Sequence, residues 1–271
     1  MSNKRNLKTK AFGVEPGWAP YRLRQARYYD LGLSVARWVD EQFEQTGERT
    51  DLLDIGTYYG TTRIYTDTHE ASRHIDYHAV DIFPYGKEFV FKHEDWTMHE
   101  INLENGMPEL ESDRYDIVVC EQVLEHLHNP QQAFKEMYRV LKPGCHMILG
   151  IPCFPIGLDL IRKHLIPITD KLFRVKKVRG HVQAWSKWSF LRMLRKSCPD
   201  VQINQTRGFR IISGGILRPL EYLRWWWQLN RFIGRIVPSA CIEIQVLVSK
   251  PLKEEPEVSD TTKVPSASRA A

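Results

Sequence analysis

The sequence predicts an α/β fold built on a doubly wound, mostly parallel sheet, and three observations carry that reading. Between residues 49 and 152, short apolar runs alternate with helical or turn-like stretches. Strands spaced by helices imply parallel crossover units. The first two runs end near acidic residues, Asp54 and Asp81, at the edge where open α/β sheets bind ligands. Finally, 271 residues with 42% apolar and 26% charged composition sit in the ordinary globular range and suffice for a sizeable core. Fibrous, collagen-like and wholly disordered classes are excluded.

The elements follow in order. Residues 1–19 are polar, contain Gly13, Pro16 and Gly17, and read as a flexible arm ahead of a domain spanning 20–250. Over 21–43, Leu23, Tyr28, Leu31, Val35 and Trp38 recur at helical spacing, with Gly47 just beyond. The apolar runs 52–55, 77–80, 115–120 and 146–151 read as strands. Before the last of them lies a helix. Asn129 can cap it, Pro130 suits its first turn, and Ala133, Phe134, Met137, Val140 and Leu141 form its apolar face. Lys142-Pro143-Gly144 should stop it. Residues 156–180 read as an insertion and 186–197 as an amphipathic helix. Two further strands are expected over 201–206 and 241–248. The segment 251–271, rich in Pro, Ser, Thr and Glu, reads as a disordered tail.

Charge is unevenly spread. Residues 51–150 hold 8 Lys and Arg against 18 Asp and Glu, whereas 151–250 hold 18 against 5. A basic half suits a phosphate-bearing partner, an acidic substrate or an anionic membrane, or is simply a solvated set of helix faces. The five cysteines are scattered without zinc or redox spacing, as in a reduced, cytoplasmic protein. No signal peptide is expected behind the polar start, and no 18-residue window is free of charge.

The chemistry concentrates in Asp54-Ile55-Gly56-Thr57-Tyr58-Tyr59-Gly60. A glycine here lets the backbone approach a ligand, and a following helix offers unpaired N–H groups. Asp54 is poised for a cationic group and Asp81 for ribose hydroxyls. G-x-G-x-x-G is absent, and the two acids stand 27 residues apart. Both features disfavour NAD and FAD.

Four stretches in order resemble the class I S-adenosylmethionine-dependent methyltransferases, especially the small-molecule branch with the quinone-biosynthesis O-methyltransferases. They are Leu53-Asp54-Ile55-Gly56 through Gly60, Ala79-Val80-Asp81, the run Tyr115-Asp116-Ile117-Val118-Val119-Cys120-Glu121-Gln122-Val123-Leu124-Glu125-His126-Leu127, and Arg139-Val140-Leu141-Lys142-Pro143-Gly144. The resemblance implies a seven-stranded Rossmann-like sheet with a core over 49–152, substrate-covering insertions at about 156–180 and 208–238, and S-adenosyl-L-methionine as cofactor. It implies that Asp54, Gly56 and Gly60 hold the methionine end and Asp81 the ribose. Asn102 and Leu103 would flank the adenine, with Cys120 and Glu121 beside the sulfonium. Three positions depart from the family pattern: Tyr58 replaces a glycine, Asn102 an aspartate and Gln122 a glutamate. The last argues against a metal, and none is expected.

Methyl transfer to a hydroxyl needs alignment and a base. His126, His181 and Glu125 are the candidates, with His128 as a further one. His181 lies in a stretch that resembles an active-site cover in related methyltransferases. Over 218–238, Glu221, Arg224, Gln228, Arg231 and Arg235 fall on one helical stripe, and Tyr222, Trp226, Leu229, Ile233 and Val237 on the opposite one, widened by Leu223 and Trp227. Such a helix either lies on a membrane or captures a lipid-like acceptor, or else docks on the protein's own core. The function expected is methyl transfer to a small-molecule, lipid-like or glycan acceptor. The rivals are a non-catalytic module of the same fold and a nucleic-acid methyltransferase. The last is disfavoured because Cys120-Glu121-Gln122-Val123 offers no clamp for a flipped base.

Overall fold

A computed structural model describes residues 22–57, 60–82, 96–154, 182–211, 220 and 223–252. The expected arm 1–19, the insertion 156–180, Tyr58, His181 and the tail beyond residue 252 lie outside the described residues. Helix α1 (Arg22–Thr46) leads into β1 (Thr50–Ile55), α2 (Thr61–Thr66), β2 (Ile75–Asp81), β3 (Thr97–Glu100), β4 (Tyr115–Glu121), α3 (Pro130–Val140) and β5 (Leu141–Pro152). There follow α4 (Lys187–Ser197), β6 (Gln202–Phe209), α5 (Arg224–Ile236) and β7 (Glu243–Ser249). The seven strands form one sheet in the order β3-β2-β1-β4-β5-β7-β6. Strands β1 to β5 run parallel to one another, and β7 runs antiparallel between β5 and β6. The doubly wound, mostly parallel expectation therefore holds.

Strand residues alternate between two apolar layers. Leu53, Ile55, Val118 and Cys120 face a layer with Phe134 and Met137 of α3 and Phe190 of α4. Leu52, Ile117 and Val119 face Leu31, Val35, Trp38 and Val39 of α1. Every residue of β4 is buried, as in a central strand covered on both faces. Asn129 caps α3 by accepting a bond from Gln132 N at 3.3 Å, and Ser186 caps α4 by accepting from Ser189 N at 3.4 Å. Helix α3 ends at Val140, and β5 begins immediately rather than at His146. Its early start is held by Lys250. The carbonyl of that residue accepts from Gly144 N, and its ammonium donates to Asp113 Oδ1 and to the carbonyls of Tyr138 and Leu141.

The helix expected over 218–238 is shorter and turned. It spans Arg224–Ile236, and it buries Trp227 of the widened apolar stripe together with Asn230 and Gly234, whereas Leu229 and Val237 of that stripe are exposed. The cause is Asp30, a buried carboxylate of α1. Arg231 pairs with it and Arg235 approaches it at 3.6 Å. Leaving that carboxylate unpaired would be costly, so Arg231 turns inward while Arg235 stays half exposed. Asn230 adds a hydrogen bond from Ile211 N at 3.1 Å, and a side chain at Gly234 would overlap the Gly208 carbonyl.

Candidate functional site

The chain leaves β1 towards β2 on one side and later returns to β4 on the other. A crevice opens at such a reversal, beyond the carboxyl ends of the strands. Here it is a cavity of about 590 Å³. Asp54 and Gly56 line it from β1, Asp81 and Ile82 from β2, Asn102 and Leu103 from the turn after β3, and Glu121, Gln122, Val123 and His126 from the end of β4. Tyr28 closes it from α1.

Local backbone geometry explains several of these positions. Gly56 has φ +70° and donates its N–H to Val80 O at 2.7 Å, joining the ends of β1 and β2. A Cβ there would overlap Val123 Cγ2. Gly60 also adopts a left-handed conformation as the residue before α2, but it does not line the cavity. Gln122 holds φ +58°, a conformation costly for a non-glycine residue, with its N–H donating to Gly150 O. Its Nε2 is buried without a partner.

The carboxylates are the main electrostatic feature. Asp54 is buried. Its Oδ1 accepts from Thr62 Oγ1 at 2.9 Å, whereas Oδ2 has no well-formed hydrogen bond. Burial pushes its pKa up to about 6, against the opposing pull of the Thr57 and Thr62 hydroxyls. Glu121 is pushed up to about 7, again by burial first, with Arg27 opposing. Arg27 Nε lies 3.3 Å from Glu121 Oε2, its Nη1 lies 3.0 Å from Glu243, and Gln245 Nε2 donates to Glu121 Oε1. A side chain at Gly150 would collide with the Glu121 carboxylate.

The candidates separate on this geometry. Asp54, Gly56, Asp81, Asn102, Leu103, Glu121 and His126 come together around one cavity. Cys120 does not. Its side chain turns into the apolar layer under α3, because alternate residues of β4 face opposite sides, and burial drives its thiol well above the ordinary range. Asn102 Oδ1 accepts from Glu104 N at 3.0 Å and so also caps its own turn. Glu125 is fully buried, with no well-formed hydrogen bond to either carboxyl oxygen, and burial pushes it up to about 8. It does not line the cavity, but its Oε1 lies 3.9 Å from His126 Nε2, and its carbonyl accepts from Val182 and Gln183 N–H. That anchors the residues following His181. His128 is largely exposed and bonds Glu104 through its N–H and ring, so it braces a turn rather than facing the cavity. Tyr28, Arg27 and Gln245 were invisible as site residues. Tyr28 reads as one more apolar position of a helix, and the contact between Arg27 and Glu121 joins residues 94 apart in sequence.

A family model described as a methyltransferase domain matches residues 24–197. The chain belongs to this methyltransferase-domain family. Membership implies S-adenosylmethionine as the methyl donor. Among solved structures, this methyltransferase-domain chain is similar to the complex between the Haloferax volcanii Trm112 methyltransferase activator and a protein described as a methyltransferase. The identity is 13%, the match covers 88% of this chain and 98% of that one, and the TM-score is 0.50. A protein described as a methyltransferase from Bacillus halodurans C-125 matches at 17% identity over 79% of this chain and 98% of that one, with a TM-score of 0.48. One described as a sarcosine dimethylglycine methyltransferase, from Galdieria sulphuraria, matches at 16% identity over 81% and 86%, with a TM-score of 0.47. At these identities the likeness concerns fold alone. No curated protein matches the chain.

Proposed function

We propose that the protein transfers a methyl group from S-adenosylmethionine to a hydroxyl oxygen of a small, lipid-like or glycan acceptor, in the manner of the small-molecule O-methyltransferases. The observation that carries the reading is the pairing of two unsatisfied buried groups at one cavity, the acceptor Asp54 Oδ2 and the donor Gln122 Nε2. An α-amino acid end group, with its ammonium and carboxylate, needs that complement. A buried polar atom left unpaired costs about 1–3 kcal/mol, so a ligand that satisfies both gains accordingly. Asp81, at the carboxyl end of β2, is placed to accept from ribose hydroxyls, and Ile82, Ile101 and Leu103 supply an apolar wall for a base.

When bound, S-adenosylmethionine supplies an electrophilic methyl on a sulfonium with a neutral leaving group. The protein's part is therefore alignment and removal of the acceptor's proton. His126 lines the cavity and is the residue assigned to take that proton. Glu125 stands behind it at 3.9 Å and acts through it. Ionised, it stabilises the imidazolium electrostatically, so we class it as a positioning residue. The test is calorimetric titration with adenosylhomocysteine. Asp81→Ala should weaken binding at least tenfold, as expected for loss of hydrogen bonds to a buried ribose. Unchanged affinity would remove the cofactor assignment.

A further inference from the structure

Helix α5 carries an apolar stripe on its outer face. Trp225, Leu229, Phe232 and Ile236 are spaced 4, 3 and 4 residues apart and are 54%, 38%, 63% and 64% exposed. Leu223 and Val237 extend it at either end, also exposed. Isolated exposed apolar residues need no explanation, but a continuous row with two large aromatic rings does. The inner face is already fully engaged. Trp227 packs against Phe209 and Ala26, and its ring meets Tyr29 edge-on at 5.7 Å. Arg231 lies over both rings while pairing with Asp30. The helix therefore cannot roll to hide the stripe without breaking a buried ion pair.

We propose that this outer face docks the protein on an anionic lipid surface, with α5 lying flat in the headgroup region. Charge favours that occupant over a second copy of the chain. Beside the stripe, Arg207, Arg231 and Arg235 gather around a single carboxylate, Asp30, so that flank of the helix keeps a net positive charge, with Arg235 half exposed. Two such faces would repel each other, whereas an anionic bilayer attracts them. No helix among the described residues is long and apolar enough to cross a membrane, consistent with a helix that lies on one. Register places the surface beside the site. Phe209, at the end of β6, pairs with Glu243, and Glu243 pairs with Pro152, at the carboxyl end of β5. Helix α5 thus packs at the same end of the sheet as the cavity. Tyr28, which lines the cavity, and Tyr29, which touches α5, are consecutive residues of α1. The proposal deepens the functional reading by naming the acceptor class: a molecule whose apolar part stays in the bilayer while its hydroxyl reaches the cavity.

The test uses the full chain and sedimentation with vesicles of phosphatidylcholine alone or mixed with phosphatidylserine. Wild type should sediment with the mixed vesicles, less so as salt rises. Phe232→Glu with Ile236→Glu should reduce binding at least tenfold. Both side chains are exposed, so adenosylhomocysteine affinity should stay unchanged, which separates this proposal from the cofactor reading. Wild type that ignores mixed vesicles, or a double variant that sediments equally, overturns it. So does light scattering that shows a dimer dissolved by the same substitutions without any vesicle binding by wild type.

Discussion

Replacing Asp54 by asparagine should make the ligand-free fold more stable while weakening the hold on cofactor. The native carboxyl titrates at about 6 instead of 3.8, because burial penalises its charge. A raised acid pKa means that the native state binds more protons than the unfolded chain between those two values. Stability therefore falls as pH rises through that window. The loss is complete above about pH 6 and absent below 3.8. At about 1.4 kcal/mol per pH unit, it amounts to roughly 3 kcal/mol. The asparagine carries no charge and can still accept from the Thr62 hydroxyl that bonds Oδ1 at 2.9 Å. Thermal unfolding of both proteins from pH 4 to pH 8 measures the effect. The variant should gain roughly 5–10 °C at pH 8 and nothing at pH 4. Titration at pH 8 should show adenosylhomocysteine binding at least tenfold weaker in the variant, since the ammonium loses its counter-charge. A melting difference that does not change with pH, or an asparagine variant less stable at pH 8, would refute the reasoning.

Three further outcomes follow from the same geometry. Gly56→Ala should cost about 2–4 kcal/mol by chemical denaturation, combining a left-handed backbone with overlap on Val123. Adding Val123→Ala should recover only the overlap part. Arg27→Met leaves the buried Glu121 without its cation and Glu243 with Arg210 alone at 3.5 Å, and should destabilise by about 3–5 kcal/mol at pH 8. Because Glu121 is already held near 7, the penalty should shrink as pH falls and the carboxyl takes up a proton. With an acceptor in hand, kcat/KM should rise with pH through a limb near 8 set by Glu125. Glu125→Gln should remove that limb without changing adenosylhomocysteine affinity, whereas a merely structural role would leave the limb in place.

The sheet was largely legible in the sequence because its information is local. Buried strands such as β4 are continuous apolar runs, and the Asn129-Pro130 pair announces α3 by its own chemistry. The crevice was legible for a related reason: Asp54 and Asp81 stand at the carboxyl ends of their strands, and strand ends define the crevice. Two kinds of feature were not. One is what a side chain meets across the fold, as with Arg27 and Glu121, or Cys120, whose neighbours at the cavity suggested a role that strand alternation denies it. The other is the rotation of α5. Helical spacing finds two stripes, but which one faces inward depends on Asp30, about 200 residues earlier. An ion pair buried at that distance outweighed the burial of Leu229.

The placement of β7 bears on how the chain is made. This strand lies between β5 and β6, although it is the last of the seven described strands to emerge during synthesis. Until it does, β6 has no partner and β5 shows a bare edge, so nothing upstream can close the gap between these two strands. Vectorial synthesis thus leaves a half-finished sheet waiting on its final segment. A nascent chain halted before Glu243 should remain protease-sensitive at β6 and α5, and become resistant in one step once Lys250 clears the exit and locks onto the turn at Asp113.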